Sequence, residues 1–281
     1  MIATPTSLKI AWEKLPDDFK LPDDPVDNIT QPLLANALRD SLELAGKLPE
    51  HSLTTTNYGI CATVNDKIVV KAPDWSFIPS IQVPRESVER SYTPKLQGEF
   101  PSIVMEFLSE TEGGEYSSKQ TYPPGKWFFY EQVLQVPNYA IFDPSSGILE
   151  LHQLDDTGRY KLAPNSDDDS RYWIAPLELF LGVWSGTRDQ RTGYWLRWWA
   201  PDGSLLLWGD ELVEQERQRA EQERQRAEQE RQRAEQERQR AEQAESAQAA
   251  AIAKLLALGL SVEQVAESLG LSAEAVRSHQ I

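Results

Sequence analysis

The run IVMEFLS, residues 103–109, sets a single glutamate, Glu106, inside an otherwise apolar segment. Short apolar runs rich in Ile, Val and Phe read as buried strands. An unpaired carboxylate in such a strand costs several kcal/mol or is driven to neutralise. Glu106 therefore either faces solvent or has a partner: a metal, a lysine or an arginine.

The segments on either side decide what kind of sheet this strand enters. Upstream, NITQPLLANALRDSLELAG (28–46) repeats Leu33, Leu34, Ala37, Leu38, Leu42 and Ala45 at helical spacing, with Asn28 or Thr30 as N-cap and Gly46 as stop. From 58 to 84 the β-branched and aromatic runs YGICATVND and KIVVKAPDWSFI predict strands broken at Asn65-Asp66. Downstream, GKWFFYEQVLQ (125–135) predicts a helix with Trp127, Tyr130 and Leu134 on one side. VPNYAIFDP (136–144) predicts a strand ending in a turn, and GILELHQL (147–154) is expected to pair with GRYKLA (158–163). Helices interleaved with strands in this order predict an α/β domain with a mixed central β-sheet flanked by helices.

Residues 171–209 are Trp-rich, with Asp202-Gly203 as a hairpin signal. They predict strands and a short helix capping the sheet, or alternatively a surface for stacking sugars or bases.

Composition confines the packed core. All nine Trp and all nine Tyr precede residue 210, so the core belongs to roughly residues 20–210 of the 281. The formal charge is −16, and residues 211–281, with 14 acidic and 10 basic residues, carry −4 of it, leaving −12 on the body. A body this acidic repels polyphosphate unless a local basic groove or bound cations offset the field. That excludes a general nucleic-acid coating protein but fits an acidic site awaiting a divalent cation. The lone cysteine, Cys61, allows neither an internal disulfide nor a zinc cluster. Without an 18-residue apolar run or a signal-peptide core, a cytoplasmic protein with no membrane partner is the expectation.

Four domains are expected: an irregular N-terminal arm (1–27), the α/β domain (28–210), a charged heptad-repeat helix (211–248) and a small helix-turn-helix-like module (249–281). The heptad ERQRAEQ begins at 216, 223, 230 and 237, with one apolar residue per copy, Ala220, Ala227, Ala234 and Ala241. That seam is thinner than a stable coiled coil requires. Charge pairing along the rod, Arg217–Glu221, Arg219–Glu223 and Glu221–Arg224, supports a long helix with weak homo-oligomerisation as an addition. In the last module Gly259 and Gly270 stop helices while Ser261 with Gln264, and then Ser272, start them. Its last helix offers only Arg277 and His279 to DNA, so partner docking is the leading expectation and groove reading the alternative.

The chemistry rests on three residues. Asp74, in KAPDWSFI, and Glu106 are lone carboxylates on strand-like segments, and Lys126 opens the aromatic helix twenty residues after Glu106. Two carboxylates on adjacent strands suit Mg²⁺ (or Mn²⁺), which takes hard oxygen ligands and keeps waters. A nearby lysine orients or deprotonates the attacking water and offsets charge in phosphodiester hydrolysis. The bland reading makes Asp74 a turn cap, Glu106 a solvent-facing strand residue and Lys126 an exposed lysine. Asp143, in Phe-Asp-Pro, reads as a turn residue, and His51, His152 and His279 show no metal-ligand spacing.

The frame of Pro73-Asp74, then VMEFLS, then Lys126 and Tyr130, then VPNYAIFDP resembles the Uma-two family of the PD-(D/E)xK restriction-endonuclease-like superfamily, over about residues 20–210. The resemblance implies a restriction-endonuclease-like fold and a metal-dependent DNA endonuclease, with Asp74 and Glu106 as metal ligands and Lys126 as the catalytic lysine. Two departures stand out. The position two after the glutamate, where the superfamily places its lysine, is Leu108, and Lys119 competes with Lys126 in the loop between. Pro101 is followed by Ser102 where many relatives show an acid. Ser102 and the acidic body motivate the alternative, a catalytically inactive nuclease-like interaction protein whose helical tail binds partners. A two-carboxylate glycosidase is a third reading, one that leaves Lys126 without a role.

Overall fold

The computed structural model describes residues 8–16, 19, 29–109, 114–166 and 169–279. The chain divides into two compact units, Met1–Leu212 and Val213–Ile281.

In the first unit, β1 (Ile10–Ala11) precedes α1 (Gln31–Leu44), followed by β2 (Leu53–Thr55), β3 (Ile60–Val64), β4 (Lys67–Lys71), β5 (Trp75–Ile78) and β6 (Ile103–Phe107). A helical segment, α2, then begins at Lys126–Phe128 and widens into a π-turn over Phe129–Val133. After it come β7 (Asn138–Asp143), β8 (Ile148–Leu154), β9 (Tyr160–Leu162), β10 (Tyr172–Ile174), β11 (Leu179–Arg188) and β12 (Arg191–Trp199). The central sheet runs β2-β5-β6-β7-β8-β9, with β6 and β7 parallel and every other pair antiparallel. This is the expected mixed sheet, with 147–154 paired to 158–163.

Alternation along β6 explains how one strand serves two cores. Ile103, Met105 and Phe107 enter a cluster with α1, Trp75, Phe142 and the β10-β11-β12 sheet, while Val104 enters the opposite cluster with β3, β4 and α2. Glu106 shares the Val104 face by parity. All five β6 residues are buried, which removes the solvent-facing reading of Glu106.

Three of the six tryptophans of the Trp-rich segment belong to the core, while Trp173, Trp184 and Trp199 are half-buried. Trp195, Trp198 and Trp208 are buried, and the Trp198 and Trp208 indole N–H groups donate to the Leu38 and Ala37 carbonyls of α1. They pack α1 against the sheet, so no sugar or base can reach them. Asp202-Gly203 does form the expected turn, with Gly203 at φ +85°. The longer hairpin, β11–β12, turns at Asp189-Gln190, both in the left-handed region.

Other expectations are corrected. Within the predicted irregular arm, Ile10–Ala11 pairs with β3, and Asn28 lies outside the described residues. Thr30 takes the N-cap position of α1 but makes no side-chain cap bond. Ala45 is exposed at the C-cap, one residue before Gly46 enters the left-handed region at φ +65°.

The second unit is helical. α3 (Gly209–Ala257) contains all four heptads, and residues 213–247 are exposed in this chain. Several of its arginines pair with the glutamate three residues before, as in Glu214–Arg217, Glu216–Arg219 and the expected Glu221–Arg224, while Arg238 also reaches the following Glu242. The expected Arg217–Glu221 and Arg219–Glu223 pairs give way to this order, which suits the helix dipole. α4 (Val262–Leu269) opens on the Ser261–Gln264 capping box, and α5 (Ala273–Ser278) on Ser272. Ile252, Val265, Ala266 and Val276 form their small core. Arg277 is paired with Glu263, and the His279 ring contacts the Ala275 carbonyl, so both basic residues offered for DNA reading have internal partners. Among the described residues no helix is long and apolar enough to cross a membrane.

Candidate active site

Asp74 precedes β5 and Glu106 lies near the end of β6. With Trp75 opposite Met105 and Ser76 opposite Val104, one further step of this antiparallel register sets Asp74 opposite Glu106. The Asp74 Oδ2 atom accepts the Phe107 N–H at 2.6 Å, so the carboxylate extends the strand pairing beyond its last backbone bond. Asp74 is thereby fixed beside Glu106.

The Glu106 side chain is fully buried and both of its oxygens are engaged. Lys126 Nζ donates to Oε2 at 2.9 Å, and the Tyr130 hydroxyl donates to Oε1 at 2.9 Å. Both donors lie on the α2 segment, Lys126 at its first residue and Tyr130 within the π-turn, where Leu134 N–H bonds back to the Phe129 carbonyl. Lys119 is exposed in the preceding loop, and Lys126 is the lysine that meets Glu106. The lysine that meets Glu106 therefore lies on the helix, not at the strand position of Leu108.

Two neighbours carried no sequence signal. Glu115 Oε1 lies 3.4 Å from Lys126 Nζ, and the backbone carbonyl of Glu115 accepts the Tyr139 hydroxyl at 2.9 Å. Gln31, the first residue of α1, donates to the Phe107 carbonyl at 2.8 Å and ties that helix to the end of β6. Neither periodicity nor motif spacing marks such contacts, because Gln31 lies 76 residues from Phe107 and Glu115 sits in a loop without a regular repeat.

Electrostatics follow from this crowding. Burial pushes the Glu106 carboxyl up to about 8 from an ordinary 4.5; the Lys126 charge pulls against the rise and the Asp74 charge adds to it. Burial pulls the Lys126 ammonium down, but Glu106, Asp74 and Glu115 more than offset it, and the amine is held above its ordinary value. Tyr130 is raised by burial and by the Glu106 charge, so it stays a hydroxyl donor. Asp74, Glu106 and Glu115 thus crowd one ammonium, and once Glu106 gives up its proton the cluster carries an excess of negative charge that a divalent cation would balance. Among the described residues no three His, Cys, Asp or Glu side chains form a ready-made cage. An ion here would take Asp74 and Glu106 and complete its shell with water, as Mg²⁺ does.

The remaining sequence candidates fall outside this arrangement. Asp143 is a turn residue, held down to about 2 by hydrogen bonds from Ser146 and Ser145. Ser102 sits at the other end of β6, where its backbone N–H donates to the Phe77 carbonyl. An acid at that position would be four residues along the strand from Glu106.

The loop that delivers Lys126 is tightly packed at Gly125. A Cβ there would lie 2.0 Å from the Ser117 carbonyl oxygen, and the Gly125 N–H bonds to the Lys119 carbonyl. Gly125→Ala must displace backbone, and with it Lys126. The expected outcome is a lowered Tm and a crystal structure in which Lys126 has moved away from Glu106. A Gly125→Ala protein of wild-type stability with Lys126 still bonded to Glu106 would contradict this positioning role.

No curated protein matches the chain at a significant level. The family described as "Uma2: Putative restriction endonuclease" matches residues 27–187, more than half of the 281 residues. The match ends inside β11, short of the 210 reached by the sequence resemblance.

Proposed function

The chain belongs to the Uma2 family, and on that premise we propose that it is a metal-dependent endonuclease hydrolysing DNA phosphodiester bonds at Asp74, Glu106 and Lys126. The observation carrying this reading is the Lys126–Glu106 pair, 2.9 Å apart at the end of β6, with Asp74 fixed alongside. Asp74 and Glu106 would hold Mg²⁺ or Mn²⁺. Such an ion, when bound, supplies a Lewis acid and lowers the pKa of its bound water.

The chain's own groups do the rest. Tyr130 fixes Glu106 Oε1, and the Phe107 N–H fixes Asp74. Lys126, raised and protonated, serves as a charge donor to the developing negative charge rather than as a base. Plasmid and single-stranded DNA should be cut with Mg²⁺ or Mn²⁺ and not with EDTA. Equal cleavage by an Asp74→Ala/Glu106→Ala protein would sink the proposal.

A pH prediction follows for the metal-free protein. The folded-state pKa of Glu106 is raised above its unfolded value, so between about 4.5 and about 8 the folded chain keeps a proton that the unfolded chain has lost. Stability then falls as pH rises through that window, with a slope of at most about 1.4 kcal/mol per pH unit, and levels off above it. Glu106→Gln removes this contribution. Urea midpoints from pH 5 to 9 should show the wild type losing stability relative to the variant; a constant difference would contradict the burial effect.

A further inference from the structure

The loop between β6 and α2 carries two half-exposed tyrosines, Tyr116 at 50% and Tyr122 at 52%. Each is held rigidly from one side. The Tyr116 ring stacks on Trp127, with centroids 6.3 Å apart and planes at 26°, and its hydroxyl donates to Glu150 at 3.1 Å. Trp127 is in turn packed edgewise on His152, Tyr139 and Tyr160. Tyr122 has the Lys67 ammonium 4.9 Å from its ring centroid, and its hydroxyl donates to the Ile68 carbonyl of β4 at 3.2 Å. Two flat rings are thus braced by neighbours yet still half open to solvent.

Their position matters more than their number. Tyr116 directly follows Glu115, whose carboxylate meets Lys126, and Tyr122 lies four residues before Lys126. Lys67 and Lys119 are exposed, Lys67 over the Tyr122 ring and Lys119 three residues before it, whereas Tyr116 faces the carboxylates of Glu150, Glu115 and Asp143, so the basic end of the loop is at Tyr122. Interleaved aromatic rings and lysines are what a single nucleic-acid strand requires, the rings taking base faces and the cations the backbone. Paired bases in a duplex are stacked on one another and offer only their edges, so an open ring face serves a base that is out of the stack.

We propose that Tyr116 and Tyr122 form a stacking platform for unpaired bases, making single-stranded or locally unpaired DNA the preferred substrate of the site. This rests on the nuclease reading above and names its substrate class. Glu150 on the far side of Tyr116 limits the platform on that flank, because a phosphate there would meet a carboxylate. The strand then runs past Lys119 and Tyr122 toward Lys126.

Fluorescence anisotropy tests it in EDTA, with a labelled 12-nucleotide oligothymidine and a duplex of equal length. The wild type should bind the single strand more tightly. Tyr116→Ala and Tyr122→Ala should each weaken single-strand binding about 10-fold, the low end to middle of what one stacked base contributes. Tyr116→Phe should retain it, since the ring remains and only the Glu150 bond is lost. Both tyrosines are half exposed, so an unchanged Tm establishes that the alanine proteins are folded. Equal or tighter duplex binding, or alanine variants indistinguishable from wild type, overturns the platform. The readout is binding rather than cleavage, so that result leaves the metal-dependent reaction to stand or fall on Asp74 and Glu106.

Discussion

In a metal-dependent cleavage assay, Glu106→Ala is expected to lose at least about 10³-fold in rate, and Lys126→Met about 10²–10³-fold. The two losses have different causes. Glu106 is the point at which the strand, Lys126 and Tyr130 meet, and its removal takes away one of two candidate metal ligands. An ion held only by Asp74 loses both affinity and position. Lys126→Met leaves both carboxylates in place but removes the ammonium that offsets them, so metal binding should persist while rate falls. Isothermal calorimetry with Mn²⁺ separates the cases: binding abolished by Glu106→Ala and retained by Lys126→Met. A Lys126→Met protein that cuts at the wild-type rate would remove the lysine from the chemistry.

A comparable effect on stability is expected at a place remote from this site. Arg197 in β12 has a fully buried side chain; its Nη2 atom lies 2.6 Å from Glu211 Oε2, and its guanidinium carbon lies 3.3 Å from the Trp208 ring centroid. Glu211 also accepts the backbone N–H of Trp208, which fastens the start of α3. Glu211→Ala leaves a buried guanidinium without its counter-charge, a loss on the order of 3–5 kcal/mol. For a unit of this size that corresponds to roughly 2–4 °C of Tm per kcal/mol. Arg197→Met combined with Glu211→Ala should recover much of the loss, because methionine fills the same space without charge. Urea unfolding of the single and double variants measures it; a double variant as unstable as Glu211→Ala alone would contradict the unpaired-charge explanation.

How far the sequence could be read depended on how local each signal was. The apolar run IVMEF, the apolar stripe of α1 and the pairing of 147–154 with 158–163 are local patterns, and each is realised. The question posed by Glu106 was also local: a buried carboxylate requires a partner, and Lys126 is there. What remained hidden was long-range or conformational. The β11–β12 turn uses Asp189 and Gln190 in left-handed conformations without the glycine that usually announces such a turn. The π-turn that presents Tyr130 to Glu106 has no simple residue signature. The Trp-rich segment predicted strands capping the sheet with a stacking surface as the lesser alternative, because tryptophan serves both; the packing of Trp198 and Trp208 on α1 is a long-range contact that no local pattern shows. Glu115 and Gln31 reach the site through loop and helix placement that no spacing rule encodes.

The most direct test of the central claim is a crystal structure of the protein soaked in Mn²⁺, read by anomalous scattering. The account predicts one peak shared by the Asp74 and Glu106 carboxylates, with Lys126 remaining alongside. A saturating soak that leaves Glu106 bonded only to Lys126 and Tyr130, with manganese elsewhere or absent, would contradict it.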